Sequence, residues 1–233
     1  MIDIRDLTVR YADTTVLDIP ALSVPDAAVT YLLGLNGTGK STLLRCVCGI
    51  LAPAAGTVTV DGVRVRAGHT TPAGLGMHLD YRAFDPRHTA RRHLRWIARS
   101  RGLPTARVSE VLDATGLDEV ADRRLAQYSL GMLQRVGIAA ALLARPRTLL
   151  LDEPLNGLDI AGIHWIRALL RELADAGTCV LVTSHLLDEA ERNADRVVVL
   201  GAGRVLADAP LTELVRDGDR LEDAYLRITG AAA

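Results

Sequence analysis

The chain has 233 residues, 27 basic against 28 acidic side chains for a net charge of −1, and a hydrophobic share of 49%. That length suits one domain with a full apolar core, and the balanced charge argues against a protein that binds nucleic acid by covering many phosphates. Of the basic residues 26 are arginine and one is lysine, Lys40, which excludes Schiff-base chemistry at any other position, while aromatics at 3% exclude a base-stacking platform.

Along the chain, Ile2-Asp3-Ile4 and Leu7-Thr8-Val9 alternate, and Val16-Leu17 and Leu22-Ser23-Val24 continue the two-residue period of half-buried strands. The first ten residues, MIDIRDLTVR, are charged throughout and offer no apolar segment of a secretion signal. Residues 28–33 form an apolar run of strand length, followed by a glycine-rich turn and a helical stretch over 41–50 that Pro53 and Gly56 break. Val58-Thr59-Val60 and Val63-Arg64-Val65, joined by Asp61-Gly62, predict a hairpin. From about 81 to 145 helical spacing replaces strand signals, punctuated by Leu103-Pro104 and Gly116-Leu117. The longest apolar run, 136–144, reads as a buried helix, far short of the ~20 residues of a membrane span. Buried strands at 148–151 and 179–183, with a helix at 160–176 between them, predict a parallel sheet. A hairpin around Gly201-Ala202-Gly203 and a frayed tail at 231–233 complete the chain. Cys46, Cys48 and Cys179 form no disulfide framework and read as buried small apolar residues of a reducing compartment. Cys46 and Cys48, two apart on a helix, are expected to face different sides.

Three segments carry chemistry. Gly34-Leu35-Asn36-Gly37-Thr38-Gly39-Lys40-Ser41 fits the pattern of a phosphate-binding loop, lying as required between a strand and a helix. Its glycines allow successive backbone N–H groups to wrap phosphates at a helix N-terminus. The Lys40 ammonium is a compact charge for the β- and γ-phosphates, and Ser41, supported by Thr42, is a hydroxyl ligand for Mg²⁺. The run Leu149-Leu150-Leu151 ends in Asp152 and Glu153, which places acids at the carboxyl edge of a parallel sheet, where ligands bind. Asp152 is the candidate for Mg²⁺ and Glu153 for orienting or deprotonating a water. His185 follows the strand Val180-Leu181-Val182-Thr183 and points an imidazole toward the same edge. The other histidines show no metal-ligand clustering.

Taken in order, these segments resemble the ATP-binding subunits of ABC transporters over nearly the whole chain. Tyr11 resembles the aromatic that stacks on adenine, GLNGTGKST at 34–42 Walker A, and YSLGMLQR at 128–135 the signature segment LSGGQxQR. LLLDEP at 149–154 resembles Walker B with its catalytic glutamate, residues 156–159 the D-loop with Asp159, and His185 the switch histidine. The resemblance implies an α/β fold: a P-loop NTPase core with a mainly parallel sheet, an N-terminal antiparallel β subdomain and an inserted helical subdomain. It further implies one ABC-type ATPase domain over 1–233, with 1–80 and 136–233 as core and 81–135 as the helical insertion. Gly34, Asn36, Gly37, Thr38, Gly39, Lys40, Ser41 and Thr42 would bind nucleotide. Ser129, Leu130, Gly131 and Met132 would act on the partner's ATP.

The departures are informative. Tyr128, Leu130 and Met132 stand where leucine, glycine and glutamine are usual, while Ser129 and Gly131 remain. The Q-loop glutamine is missing, and Asp80 falls nearest its place as a further candidate for Mg²⁺; a carboxylate only accepts hydrogen bonds. These features, with the tail segment 221–226, resemble the subgroup that serves drug, antibiotic and lantibiotic exporters. The implied function is ATP hydrolysis, with ATP and Mg²⁺, powering a permease on a separate chain. The subunit would pair as a homodimer or ABC heterodimer, bind no nucleic acid, and sit at the cytoplasmic face of a bacterial membrane, peripheral through the permease. The alternatives are a weakly hydrolysing, nucleotide-gated subunit of a heteromeric complex, and an ABC ATPase outside transport. Eight arginines against the single acid Asp85 between residues 81 and 107 give a local charge of about +7, a candidate docking face.

Overall fold

The computed structural model describes residues 1–69, 72, 74–80, 84–215 and 218–230. Tyr81 and Arg82, and the tail 231–233, lie outside the described residues. The alternating N-terminal segments form β1 (Ile2–Tyr11) and β2 (Thr14–Val24), which pair antiparallel. With β4 (Ala55–Val60) and β5 (Val63–Arg64) they make a four-stranded antiparallel sheet of order β2-β1-β4-β5. Between these strands the chain lays down β3 (Ala28–Leu33) and α1 (Lys40–Val47).

The second sheet has six strands in the order β10-β9-β3-β8-β7-β6. It comprises β6 (Leu75–His78), β7 (Thr148–Asp152), β8 (Cys179–Ser184), β9 (Arg196–Gly201), β10 (Arg204–Pro210) and the central β3. All its pairings are parallel except β9 with the edge strand β10. Strand period sorts its side chains between two cores. Val29, Tyr31, Leu33, Leu149, Leu151, Val180, Val182, Val197 and Val199 face one cluster. Leu32, Leu150, Cys179, Leu181, Val198 and Leu200 face the other, together with α1 and the antiparallel sheet.

The first cluster is covered by helices: α2 (Ala90–Ser100), α3 (Ala106–Ala114), α4 (Leu130–Leu142), α5 (Ile160–Asp175), α6 (Leu187–Asn193) and α8 (Leu221–Thr229). A one-turn helix, α7 (Leu211–Leu214), precedes α8. α2 buries Ala90, Leu94 and Ala98 at a four-residue spacing, and Thr89 caps it by accepting from the Arg92 N–H at 3.2 Å. α3 is tied to α4 and α5 by Arg135: its guanidinium donates to the Thr115 carbonyl at 2.9 Å and lies 4.2 Å over the Trp165 ring, whose N–H donates to the Ala114 carbonyl.

The α/β fold agrees with expectation, with local differences. α1 ends at Val47, three residues short of the expected 50. Cys48 therefore lies beyond the helix as its C-cap, and both Cys46 and Cys48 are buried in the same core cluster. β6 carries no clear strand signal in the sequence. Its four residues form a parallel edge because each has a partner in β7, from Leu75–Thr148 to His78–Leu151.

Candidate active site

The phosphate-loop pattern occupies the turn between β3 and α1, and its glycines are needed by shape. A Cβ at Gly34 would lie 2.5 Å from the Leu200 carbonyl oxygen, and one at Gly39 2.5 Å from a Leu17 methyl. Gly39 has φ 107° and Gly37 φ 83°, conformations that L side chains disfavour. At Gly37 a Cβ would meet nothing within 4 Å, so backbone conformation alone calls for glycine there. The path of the loop at Gly34 and Gly39 thus leaves no room for a side chain. Lys40 reaches back across it, donating to the Gly34 and Leu35 carbonyls at 2.7 and 3.2 Å, and is itself buried.

Opposite the loop, β7 delivers Asp152 and β8 delivers Thr183, which are direct cross-strand partners. The Thr183 hydroxyl donates to Asp152 Oδ1 at 2.5 Å and accepts the Glu153 N–H at 2.9 Å. Glu153 sits at φ 48°, a left-handed conformation for a non-glycine residue. This turn brings its carboxylate between two nitrogens: Oε1 is 3.7 Å from Lys40 Nζ and Oε2 is 2.9 Å from His185 Nδ1. Ser41, Asp80, Asp152, Glu153, Asn36 and Asn156 line one cavity of about 270 Å³. A larger cavity of about 1000 Å³ opens at the opposite edge of the sheet, where β7 and β8 begin, and contains none of the motif residues.

The chemistry of this donor set fits a nucleotide with Mg²⁺. Among the described residues no three His, Cys, Asp or Glu side chains are grouped to hold a metal by themselves. Ser41 and Asp152 offer one hydroxyl and one carboxylate, which suits a cation that keeps several waters and takes phosphate oxygens.

The structure brings together Lys40, Ser41, Asp152, Glu153 and His185, and sets Asp80 in the same cavity. Tyr11 ends β1 with 48% of its surface exposed. Ser129 caps α4, its hydroxyl accepting the Met132 N–H at 3.2 Å, and α4 thereby begins at Leu130. A Cβ on Gly131 would lie 2.9 Å from the Gly157 carbonyl oxygen, so α4 starts in contact with residues 156–159 of its own chain. Asp159 caps α5 by accepting from the Gly162 N–H at 2.7 Å. Tyr128, a departure from the signature pattern, is buried and donates to the Val120 carbonyl at 2.7 Å. Two contributors escaped the sequence reading. Thr183 was legible only as the strand residue whose register places it beside Asp152. The pair His78 and Gln134, 2.6 Å apart, depends on β6 meeting α4. Burial lowers the His78 pKa, partly offset by its bond to Gln134.

The arginine stretch divides. Arg87 pairs with Asp85, Arg91 with Asp118 and Asp122, and Arg107 with Glu110 and the Leu142 and Leu143 carbonyls. Arg92, Arg95 and Arg99 form an exposed stripe with Trp96 on the face of α2 opposite its buried residues.

The description "ABC transporter" belongs to the family model that residues 17–156 match. The chain belongs to the ABC transporter family. Within that family it is an ATPase cassette, and ABC cassettes bind ATP and work with transmembrane permeases. It is 36% identical over 217 residues to the bacitracin transport ATP-binding protein BcrA of Enterococcus faecalis, covering 92% of this chain and 70% of that protein. It is 36% identical to the Nod factor export ATP-binding protein I of Neorhizobium galegae, covering 93% of this chain and 64% of that protein. A daunorubicin resistance ATP-binding protein of Streptomyces coeruleorubidus is 37% identical, covering 95% of this chain and 72% of that protein. The chain thus spans about two thirds of the length of these relatives. Among solved structures, an ATP-binding subunit of an ABC transporter superposes with a TM-score of 0.87 at 29% identity, over 98% of this chain and 99% of that one. A dimeric bacterial ABC transporter cassette superposes with a TM-score of 0.79 at 25% identity, over 91% of this chain and 99% of that one. Among the described residues no helix is long and apolar enough to cross a membrane.

Proposed function

We propose that this cassette hydrolyses ATP to drive an exporter of drug, antibiotic or peptide type, acting as a pair beneath a separate permease. The observation that carries the reading is the Glu153 carboxylate held between Lys40 and His185. A carboxylate so placed, at the edge where the phosphate loop opens, can accept a proton from a water while His185 fixes its orientation. The phosphate-loop N–H groups and Lys40 would hold the β- and γ-phosphates, with Ser41 and Asp152 on Mg²⁺; the cation supplies charge neutralisation on the phosphates. Tyr11 offers an exposed ring for adenine. Export as the direction of transport is supported by the relatives' names, and the permease by the family's mode of work.

Pairing is supported by where apolar surface remains exposed. Leu35 follows β3, Ile160 follows β7 and Leu186 follows β8, all beyond the carboxyl edge of the sheet, and Ile160 is 78% exposed. Facing a second cassette, this rim would be covered, and Ser129 and Gly131 would reach the partner's nucleotide. The Arg92-Arg95-Arg99 stripe is then a surface for the permease or the anionic leaflet beside it.

The test is Glu153→Gln. It keeps the shape and removes the base, so ATP should still bind while turnover falls by two orders of magnitude or more, and an ATP-loaded dimer should accumulate on gel filtration. Near-normal turnover would overturn the assignment. A second reading is favoured by Asp80, a carboxylate in the cavity beside Ser41 and Asp152: a weakly hydrolysing, nucleotide-gated partner in a heteromeric complex. Turnover of the purified chain alone, compared with turnover when its permease is co-expressed, separates the two.

A further inference from the structure

His78 ends β6, two residues before Asp80, and nothing in the hydrolytic reading uses it. It is buried at 5% exposure, and its partner Gln134 on α4 at 2%. His78 Nε2 lies 2.6 Å from Gln134 Oε1, and Gln134 Nε2 donates to the Asn156 carbonyl at 3.3 Å. The second bond fixes the first. A carbonyl only accepts, so the amide nitrogen of Gln134 faces Asn156, its oxygen faces the imidazole, and the imidazole carries its proton on Nε2. Space for the ring is made by Gly137, one helical turn beyond Gln134; a Cβ there would lie 2.2 Å from His78 Cε1 and Nδ1. A glycine in the middle of a helix weakens it, and here its bareness is matched to one side chain.

The three residues belong to three functional segments. β6 leads into the Asp80 loop, α4 starts at the Ser129 cap, and Asn156 lies between Glu153 and Asp159. We infer that His78 is a positioning residue, whose bond to Gln134 joins β6 to the 153–159 loop and sets the placement of Glu153. The inference rests on the hydrolytic reading above. Without the imidazole N–H, the buried Gln134 oxygen loses its donor and its amide is free to turn, releasing Asn156. Neither bond of the bridge involves a phosphate-loop residue.

Three variants test it. His78→Leu removes the donor at similar volume and should lower kcat about tenfold while KM for ATP stays within about twofold, because only the placement of the base is disturbed. His78→Gln offers an amide N–H at similar reach and should recover kcat to within about threefold of wild type. Unchanged kcat in His78→Leu, or equal losses in both variants, overturns the proposal. If His78→Leu does not fold, Gln134→Met takes its place: at similar volume it neither accepts from His78 nor donates to Asn156, and unchanged kcat there is equally decisive. Hydrogen exchange of the backbone amides of 154–159 supplies a readout independent of turnover. It should quicken in His78→Leu (or Gln134→Met) and not in His78→Gln, and exchange equal to wild type refutes the bridge. A wild-type protein that does not hydrolyse ATP, yet shows this exchange pattern, would refute the hydrolytic reading and leave the bridge standing.

Discussion

Lys40 is the only lysine in the chain, and its surroundings give a reason for the residue type. Its ammonium is buried among the Gly34 and Leu35 carbonyls and beside Glu153. A planar guanidinium is too wide for that space and presents its donors in a fixed fork. Lys40→Arg should therefore fold and lose nucleotide affinity by tenfold or more in a fluorescent-ATP titration; wild-type affinity would contradict the cradle. Thr183 is the second residue on which the site depends. Its hydroxyl donates a hydrogen bond to Asp152 and accepts one from the Glu153 backbone N–H, in a position that no solvent reaches. Thr183→Val keeps the shape and strands both partners. It should cost about 1–3 kcal/mol in a denaturant melt and depress turnover further than that loss explains.

At the scale of elements, the contact between α4 and β6 relies on Gly137. Gly137→Ala would improve helix propensity in isolation but drive a methyl into His78, so destabilisation by about 1–3 kcal/mol is expected, with recovery when His78→Ala is added. A double-mutant melt decides it. A second tie joins β3, α5 and the start of β9. Asp195 receives two bonds from Arg171, at 2.8 and 2.7 Å, and the Val29 N–H at 2.7 Å. The Arg171 guanidinium holds the Asp195 carboxyl below its usual pKa, against the opposing effect of partial burial. A depressed carboxylate stabilises the fold fully above its unfolded value, near pH 4, and progressively less as pH falls through the lower folded value. Asp195→Asn should lower stability by about 1 kcal/mol at neutral pH, modest because the pair is half-exposed, and flatten the acid limb of a Tm-against-pH curve. An unchanged acid limb would mean that Arg171 and Asp195 are not coupled in solution.

For the whole molecule, the exposed Leu35, Ile160 and Leu186 beyond the sheet's carboxyl edge leave a rim to be covered. Ile160→Asp should leave the monomer's melting temperature within a degree or two, since the side chain touches little, yet suppress the ATP-loaded dimer of Glu153→Gln. Gel filtration reads the difference between 25.0 kDa and twice that mass. A dimer that persists in the double variant would place the interface elsewhere.

Much of this was legible in the order of residues. The phosphate loop, the acids ending β7 and the histidine after β8 each depend on a few neighbours in sequence: a glycine where φ must be positive, an apolar strand before it, a helix after it. The two-residue and helical periods likewise forecast the layers, because burial on one face is a local property of the pattern. What the tertiary structure decided depends on segments far apart meeting. Four residues with two polar or bare side chains, Leu75-Gly76-Met77-His78, became a strand only because β7 was there to pair with. Within the arginine stretch Arg91 and Arg107 are paired because Asp118, Asp122 and Glu110 arrive from later turns, while Arg92, Arg95 and Arg99 stay exposed. His78, Gln134 and Asn156 came together because hydrogen bonding in a dry interior is set by distance in space, and no spacing in the chain records it.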